Sequence, residues 1–248
     1  MTSVIEGLSP YKVRDLLGEG FALDLVNRVE NRLGVDVIIL PLTGPGYSLR
    51  LGQHDVVVLK ATDHWFRSAF TLAHELGHLS AGARSGRRHA DTRLEEHKAN
   101  AFAAELLMPA EQIRSLDWTD PNPARISQHL WEMGVSTQAL RTRLTYLQCH
   151  VASGVNEILQ RSTPELIKAS LPRAVASPEE ITERMMLSAH RRFPSRLLTE
   201  LRNAVDAGRA PQASLAWALG IPPEDDGDTA GSVDTVADLS PDLLDGLA

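Results

Sequence analysis

Cysteine is nearly absent from this chain of 248 residues, in which Cys149 is the only one. A single thiol cannot form an intramolecular disulfide, and it cannot supply the several thiolates of a cysteine-rich metal site. The sequence therefore indicates a reducing compartment, and we expect a cytoplasmic protein in which Cys149 is a small buried apolar residue.

Long apolar segments are also missing. The longest apolar run, residues 37–42, is far shorter than the roughly 20 residues that a membrane-spanning helix needs. Residues 1–10 lack the basic start and the apolar centre of a signal peptide. We therefore expect neither a secretory signal nor a membrane partner.

Positive charge is absent from the end of the chain, because no Lys, Arg or His follows Arg209. Acidic residues between 224 and 245 account for all of the net charge of −7, so the rest of the chain is nearly neutral. A neutral body argues neither for nor against a nucleic-acid partner. Residues 224–248 are rich in Asp, Gly, Ser and Pro, and we predict a disordered acidic tail there.

Apolar periodicity predicts an α+β fold, with a small sheet followed by helices. We interpret the third strand either as an edge strand that pairs with an extended substrate or as an ordinary core strand. The predicted elements are a helix over 21–33, strands over 35–40, 47–51 and 55–60, and helices over 65–80 and 94–108.

The motif H-E-x-x-H occupies His74 to His78 in the first of these later helices. Residues four positions apart lie on one helix face, so the two imidazoles can converge on one metal ion. Glu75 follows the first histidine, where a carboxylate can reach a water at the metal without being a ligand. The motif predicts a metal site with Glu75 as its catalytic base.

A catalytic zinc site needs a third protein ligand. The pattern with a histidine six residues after the motif fails, because Arg84 stands there. Glu96 on the following helix is the first choice, with Asn100 one turn later placed to hydrogen-bond a ligand. The alternatives that remain open are, in order, Glu95 and then His97 or His89.

Two separated motifs resemble the ImmA/IrrE family of bacterial metallopeptidases, and the similarity covers about residues 21–147. The first is R-S-A-F-T-L-A-H-E-L-G-H, residues 67–78, and the second is E-H-K-A-N-A-F-A-A-E-L-L-M-P, residues 96–109. The resemblance implies His74, His78 and Glu96 as metal ligands and Glu75 as the catalytic carboxylate. Lys98 stands where the family usually has a second glutamate, which is not a ligand.

The resemblance also implies a function. Such a protein is a zinc-dependent endopeptidase with a zincin-like core, and its substrate is a helix-turn-helix repressor whose cleavage derepresses stress or mobile-element genes. Manganese or iron could replace zinc, since affinity alone does not decide the metal in a cell. The alternative is a non-catalytic regulator that binds DNA or a repressor and uses the metal structurally.

If the protein is a peptidase, the sequence does not identify the residue that donates a hydrogen bond to the developing oxyanion. Tyr or His commonly serves this role, and the candidates are Tyr47, His64, His89 and Tyr146. Arginines near the metal motifs could hold an acidic substrate segment or the acidic tail, which would make the tail autoinhibitory. They are Arg84, Arg87, Arg88 and Arg93.

The second half of the chain is predicted to be nearly all helical. Residues 126–147 split at Gly134 like a helix-turn-helix, and residues 195–219 form a similar pair. We favour a packing or protein-docking role over DNA reading, for which the candidates would be Ser136, Thr137, Gln138, Arg141 and Arg143. The predicted segments are a peptidase core, a helix-turn-helix-like module, a helical region and a disordered tail, at 1–116, 117–150, 151–223 and 224–248.

Overall fold

The computed structural model describes residues 4–44, 46–51, 54–82 and 92–221. These residues form one small sheet and a larger set of helices, so the α+β prediction is confirmed. The predicted tail and most of the arginine-rich segment, including Arg84, Arg87, Arg88 and His89, lie outside the described residues. The helices are α1 (Pro10–Leu17), α2 (Leu25–Arg28), α3 (Trp65–Ser80), α4 (Thr92–Leu107), α5 (Ala110–Ser115), α6 (Pro123–Met133), α7 (Thr137–Tyr146), α8 (Ser153–Ile158), α9 (Thr163–Ser170), α10 (Pro178–Ala189), α11 (Ser195–Asp206) and α12 (Gln212–Ala218).

The sheet has three strands, β1 (Asp36–Leu40), β2 (Gly46–Leu51) and β3 (His54–Lys60), in the order β1-β3-β2. β3 pairs in parallel with β1 and antiparallel with β2. The edge-strand interpretation of residues 55–60 is therefore wrong. Residues 55–59 are all buried, as expected for a strand with neighbours on both sides.

The two edges of the sheet differ. Ile39 of β1 exchanges two backbone hydrogen bonds with Arg192, at 2.9 and 3.0 Å, and the Arg192 guanidinium binds both carboxylate oxygens of Glu30 at 2.6 Å. No strand covers the outer side of β2 in the described part of the chain. β2 is thus the second edge strand of the sheet.

The N-terminal helices differ in detail from the sequence prediction. The predicted helix over 21–33 is α2 flanked by a 3₁₀ turn (Phe21–Asp24) and a π turn (Val29–Leu33). It ends at Gly34, whose φ of 66° is left-handed, as predicted. The sequence analysis missed α1, although Ser9 caps it through Lys12 N and Pro10 opens it, which are both start signals of a helix.

The helix-turn-helix-like pair is present as α6 and α7, separated by Gly134 with a φ of 69° and capped at Ser136. Two of the candidate DNA-reading side chains, Thr137 and Arg143, are buried and therefore cannot enter a groove of DNA.

One hydrophobic core runs from Ile5 to Leu166, across the proposed boundary at residue 116. The four-segment division stays a prediction. Cys149 is half-buried against this core.

Arg184 of α10 joins the C-terminal helices to the rest of the protein. Its guanidinium lies 3.7 Å from the ring centroid of Trp65 and 4.6 Å from that of Trp131, and it donates to the carbonyl oxygens of Trp131 and Ala22. Burial lowers the pKa of Arg184 to about 9, so the side chain is still charged at neutral pH. Two indole faces and two carbonyls stabilise this charge.

His129 of α6 gives the protein a predictable sensitivity to acid. Burial lowers its pKa, with Glu132 opposing and Arg125 adding to the effect. His129 therefore binds a proton more readily in the unfolded chain than in the folded one. As the pH falls below about 6.5, the ordinary pKa of histidine, this difference lowers the free energy of unfolding. We expect urea unfolding at pH 7.5 and 5.5 to show a smaller loss for His129→Gln than for the wild type. Equal losses in the two proteins would contradict the assignment.

None of the helices in the described ranges is both long enough and apolar enough to cross a membrane.

Candidate metal centre

The side chains of His74, His78 and Glu96 meet where α3 and α4 pack side by side. The Nε2 atoms of the two histidines are 3.0 Å apart. The Glu96 carboxylate lies 3.2 Å from each of them, with Oε2 toward His74 and Oε1 toward His78. All three ligand atoms lie within 4.8 Å of one another.

This arrangement fits a metal ion. Tetrahedral zinc with bonds of about 2.0–2.1 Å places its ligand atoms about 3.3 Å apart, close to the 3.0 and 3.2 Å found here. Two imidazoles and one carboxylate also form a known ligand set of catalytic zinc. Both histidine side chains are only 16% exposed while Glu96 is 57% exposed, so the cluster lies at the surface and is open on one side.

Asn100 orients the first histidine. The Nδ1 atom of His74 donates to Oδ1 of Asn100 at 3.0 Å, which leaves Nε2 unprotonated and directed at the cluster. Such a bond fixes the tautomer and the ring orientation of a ligand. Asn100 therefore lies within hydrogen-bond distance of His74, and its role beside a bound metal stays a prediction.

The remaining ligand candidates lie elsewhere. Among the described residues, His74, His78 and Glu96 are the set whose ligand atoms converge. Glu95 is half-buried on the next side of α4, and His97 is exposed. Neither belongs to the converging set, and His89 lies outside the described residues.

Gly77 allows the two helices to approach. A Cβ atom on Gly77 would lie 3.0 Å from Cα of Ala99, 3.1 Å from Cβ of Phe102 and 3.2 Å from the Ala99 oxygen. The backbone of Ala99 cannot rotate away from such a Cβ atom, as a flexible side chain could. Gly77 therefore allows the close spacing of α3 and α4 at which Glu96 reaches the two histidines.

We expect Gly77→Ala to lower the free energy of unfolding by about 1–3 kcal/mol, as overpacking does. This loss outweighs the gain of about 1 kcal/mol in helix propensity. The metal affinity should also fall, because α4 must move away from α3. Urea unfolding and competition with a zinc chelator measure the two effects. A more stable variant with unchanged affinity would contradict the close-packing argument.

Glu75 is buried, with 7% of its surface exposed, in the turn between the two histidines. A buried carboxylate beside a metal ion is suited to proton transfer, because bulk water is excluded from hydrogen bonds with the carboxylate. Glu75 does not belong to the converging set of ligands, and its role as the catalytic base stays a prediction.

The candidate oxyanion donors fall in different places. His64 precedes α3 and pairs with Asp63 at 3.2 Å, ten residues and about 15 Å of helix from His74, so it is too far away. Tyr47 is exposed on β2, and Tyr146 is exposed at the end of α7. Tyr146 lines the same groove as Asn100. Tyr47 and Tyr146 stay candidates, and His89 lies outside the described residues.

Sequence reasoning missed Glu105, which links four elements of the fold. Its Oε1 accepts from the Tyr11 hydroxyl at 2.6 Å and from the Ala110 amide at 3.0 Å, and its Oε2 pairs with Arg143. Arg143 also donates to the Met108 oxygen at 2.9 Å. Although burial opposes it, these hydrogen bonds hold the pKa of Glu105 below its ordinary value. The partners are too distant in sequence for a local pattern to reveal them.

The comparison with known families agrees with this geometry. Residues 30–145 match the model of the IrrE N-terminal-like domain, a peptidase family whose members depend on a metal in general. The matched range contains β1 to β3, the whole metal cluster and nearly all of α7. A search of curated proteins finds no match. Residues 30–145 therefore form an IrrE N-terminal-like domain, which supports assignment to the ImmA/IrrE family of metallopeptidases.

Proposed function

We propose that this protein is a zinc-dependent endopeptidase that cleaves a helix-turn-helix transcriptional repressor and so derepresses stress or mobile-element genes. The observation that carries the catalytic part is the convergence of His74, His78 and Glu96 beside buried Glu75. The repressor as substrate rests on the family resemblance. Zinc suits two nitrogens and one carboxylate oxygen, and Mn²⁺ or Fe²⁺ could occupy the same ligands.

In the proposed mechanism, His74, His78 and Glu96 hold the metal, which when bound supplies Lewis acidity that makes water acidic and polarises the peptide carbonyl. Glu75 takes one proton as the water oxygen attacks the carbonyl carbon. Glu75 then delivers this proton to the nitrogen as the C–N bond breaks, leaving an amine and a carboxylic acid that carries the second proton of the water. Asn100 keeps His74 in the tautomer that the site requires.

We infer that an extended substrate adds to β2, the second edge strand of the sheet. A peptide that adds to a sheet edge gains backbone hydrogen bonds without regard to its sequence. Gly46, at the start of β2, packs on Thr71 of α3, three residues before His74. The hypothesis of substrate pairing therefore moves from residues 55–60 to β2.

The test combines metal analysis with cleavage. We expect about one equivalent of zinc in the wild type and none in His78→Ala, since two ligands alone bind weakly. The zinc-loaded wild type should cleave the helix-turn-helix repressor encoded nearest its gene, and His78→Ala should not. Zinc binding without cleavage would refute the proposed activity, and a wild type that binds no metal would refute the site.

A further inference from the structure

A groove of about 830 Å³ lies between α3, α4 and α7; we refer to it as the three-helix groove. Phe70 and Thr71 of α3, Ala104 and Met108 on the α4 side, and Ala139 and Thr142 of α7 line it. Its volume is in the range of pockets that bind ligands. Asn100, the hydrogen-bond partner of His74, lines the same groove, so one end of the groove lies a single hydrogen bond away from a residue of the metal cluster.

Two rows of side chains connect the groove to the cluster. On α3, Phe66 and Phe70 precede His74 and His78 at intervals of four residues, and residues at this spacing share a helix face. On α4, Glu96 and Asn100 are followed at the same interval by Ala104 and Met108. The helices are antiparallel, because His74 meets Asn100 while His78 meets Glu96.

The length of the groove follows from the helix geometry. Phe66 precedes His74 by eight residues, which is about 12 Å along α3. An extended peptide rises about 3.3 Å per residue. The groove can therefore accommodate three or four extended residues, starting beside the metal cluster.

The third wall is held in place by a buried ion pair. Arg143 of α7 is 6% exposed and binds Glu105 of α4 and the Met108 oxygen, so α7 is fixed against α4 and the groove is preformed. The charges of Arg143 and Glu105 neutralise each other inside the lining. The small side chains of Ala101, Ala104 and Ala139 leave room for larger ones.

We propose that the three-helix groove binds the apolar side chains of a three- or four-residue extended segment of the substrate, on one side of the scissile bond, and thereby selects the cleavage site. The inference rests on the proposed peptidase function. It gives the helix-turn-helix-like pair a role as one wall of the substrate site. A second copy of the chain and the acidic tail are the alternative occupants that the test distinguishes.

Two substitutions fill the groove from different walls. Ala104→Trp blocks its floor, and Thr142→Trp, at an exposed position of α7, blocks it with little risk to folding. Thr145→Trp is the matched control, because Thr145 is exposed on the same helix but does not line the groove. Zinc content and thermal unfolding of each variant verify that the cluster and the fold are intact.

The probes are a proteome-derived peptide library and the repressor used above. We expect wild-type cleavage sites to share apolar residues at three or four positions on one side of the bond. Thr142→Trp and Ala104→Trp should erase this preference and lower kcat/KM at least about tenfold, the scale of a lost apolar contact. Thr145→Trp should remain within about twofold of the wild type.

Two results would overturn the inference. Cleavage without an apolar preference, or an unchanged preference in folded, zinc-loaded Thr142→Trp, would show that the groove does not select substrate. Increased activity of Thr142→Trp, or a change in its oligomeric state, would assign the groove to the tail or to a second copy. No cleavage of either probe by the wild type contradicts the proposed function itself, which is a different outcome.

Discussion

Glu75→Gln is expected to abolish repressor cleavage, with a fall in kcat of about 10³-fold or more, while the protein keeps its zinc. The amide has nearly the same shape as the carboxylate, so the buried turn of α3 is preserved. It cannot accept a proton from water, and general acid–base catalysis contributes about 10²–10⁴-fold to such reactions. The metal stays because Glu75 is not among the converging ligands.

The measurement is a single-turnover cleavage assay together with the zinc content of the same preparation. Glu111→Gln is a matched control, since Glu111 is an exposed residue of α5 and its loss should leave the rate unchanged. A Glu75→Gln protein that contains zinc and cleaves at the wild-type rate would exclude Glu75 as the base. Zinc in both proteins with cleavage by neither would favour a non-catalytic regulator with a structural metal.

The largest effect on stability is expected from Glu105→Ala. The substitution leaves the guanidinium of Arg143 buried with the Met108 oxygen and the Tyr146 ring as its remaining partners. It also removes the acceptor for the Tyr11 hydroxyl and the Ala110 amide. Removing one member of a buried ion pair costs about 3–5 kcal/mol, because the other charge stays desolvated.

Glu200→Ala provides the comparison for this prediction. Glu200 pairs with Arg196 at 2.8 Å on the surface of α11, where its side chain is 58% exposed. Exposed pairs of this kind contribute less than about 1 kcal/mol. Urea unfolding of the two variants at neutral pH should therefore separate them clearly. Similar losses would show that the Glu105 network is no stronger than a surface pair.

The metal cluster could be predicted because its signal is local. The interval between His74 and His78 fixes their common face whatever the rest of the fold does. Predicting Glu96 as the third ligand also required knowing that a second helix packs against the first. The family resemblance implied that packing. The close approach at Gly77 depends on the contact with Ala99, which no periodicity encodes.

The order of the strands could not be derived in the same way. Strand pairing joins residues that are far apart in the chain. A hairpin of β2 and β3 does not determine whether β2 or β3 pairs with β1. The apolar runs do not decide the order, because Val37 to Leu40 of β1 and Val56 to Leu59 of β3 are all apolar. The Glu105 network offered no local signal, since Tyr11 and Arg143 are 94 and 38 residues away.

The sealed edge at β1 limits how sheets of different molecules can join. Fibrillar growth through sheets needs two accepting edges on every molecule. Here the backbone pairing of Ile39 with Arg192, held by Glu30, occupies one of them. A chain that pairs with β2 would therefore end the extended sheet instead of continuing it, so recognition of a strand at β2 would not create a template for polymerisation.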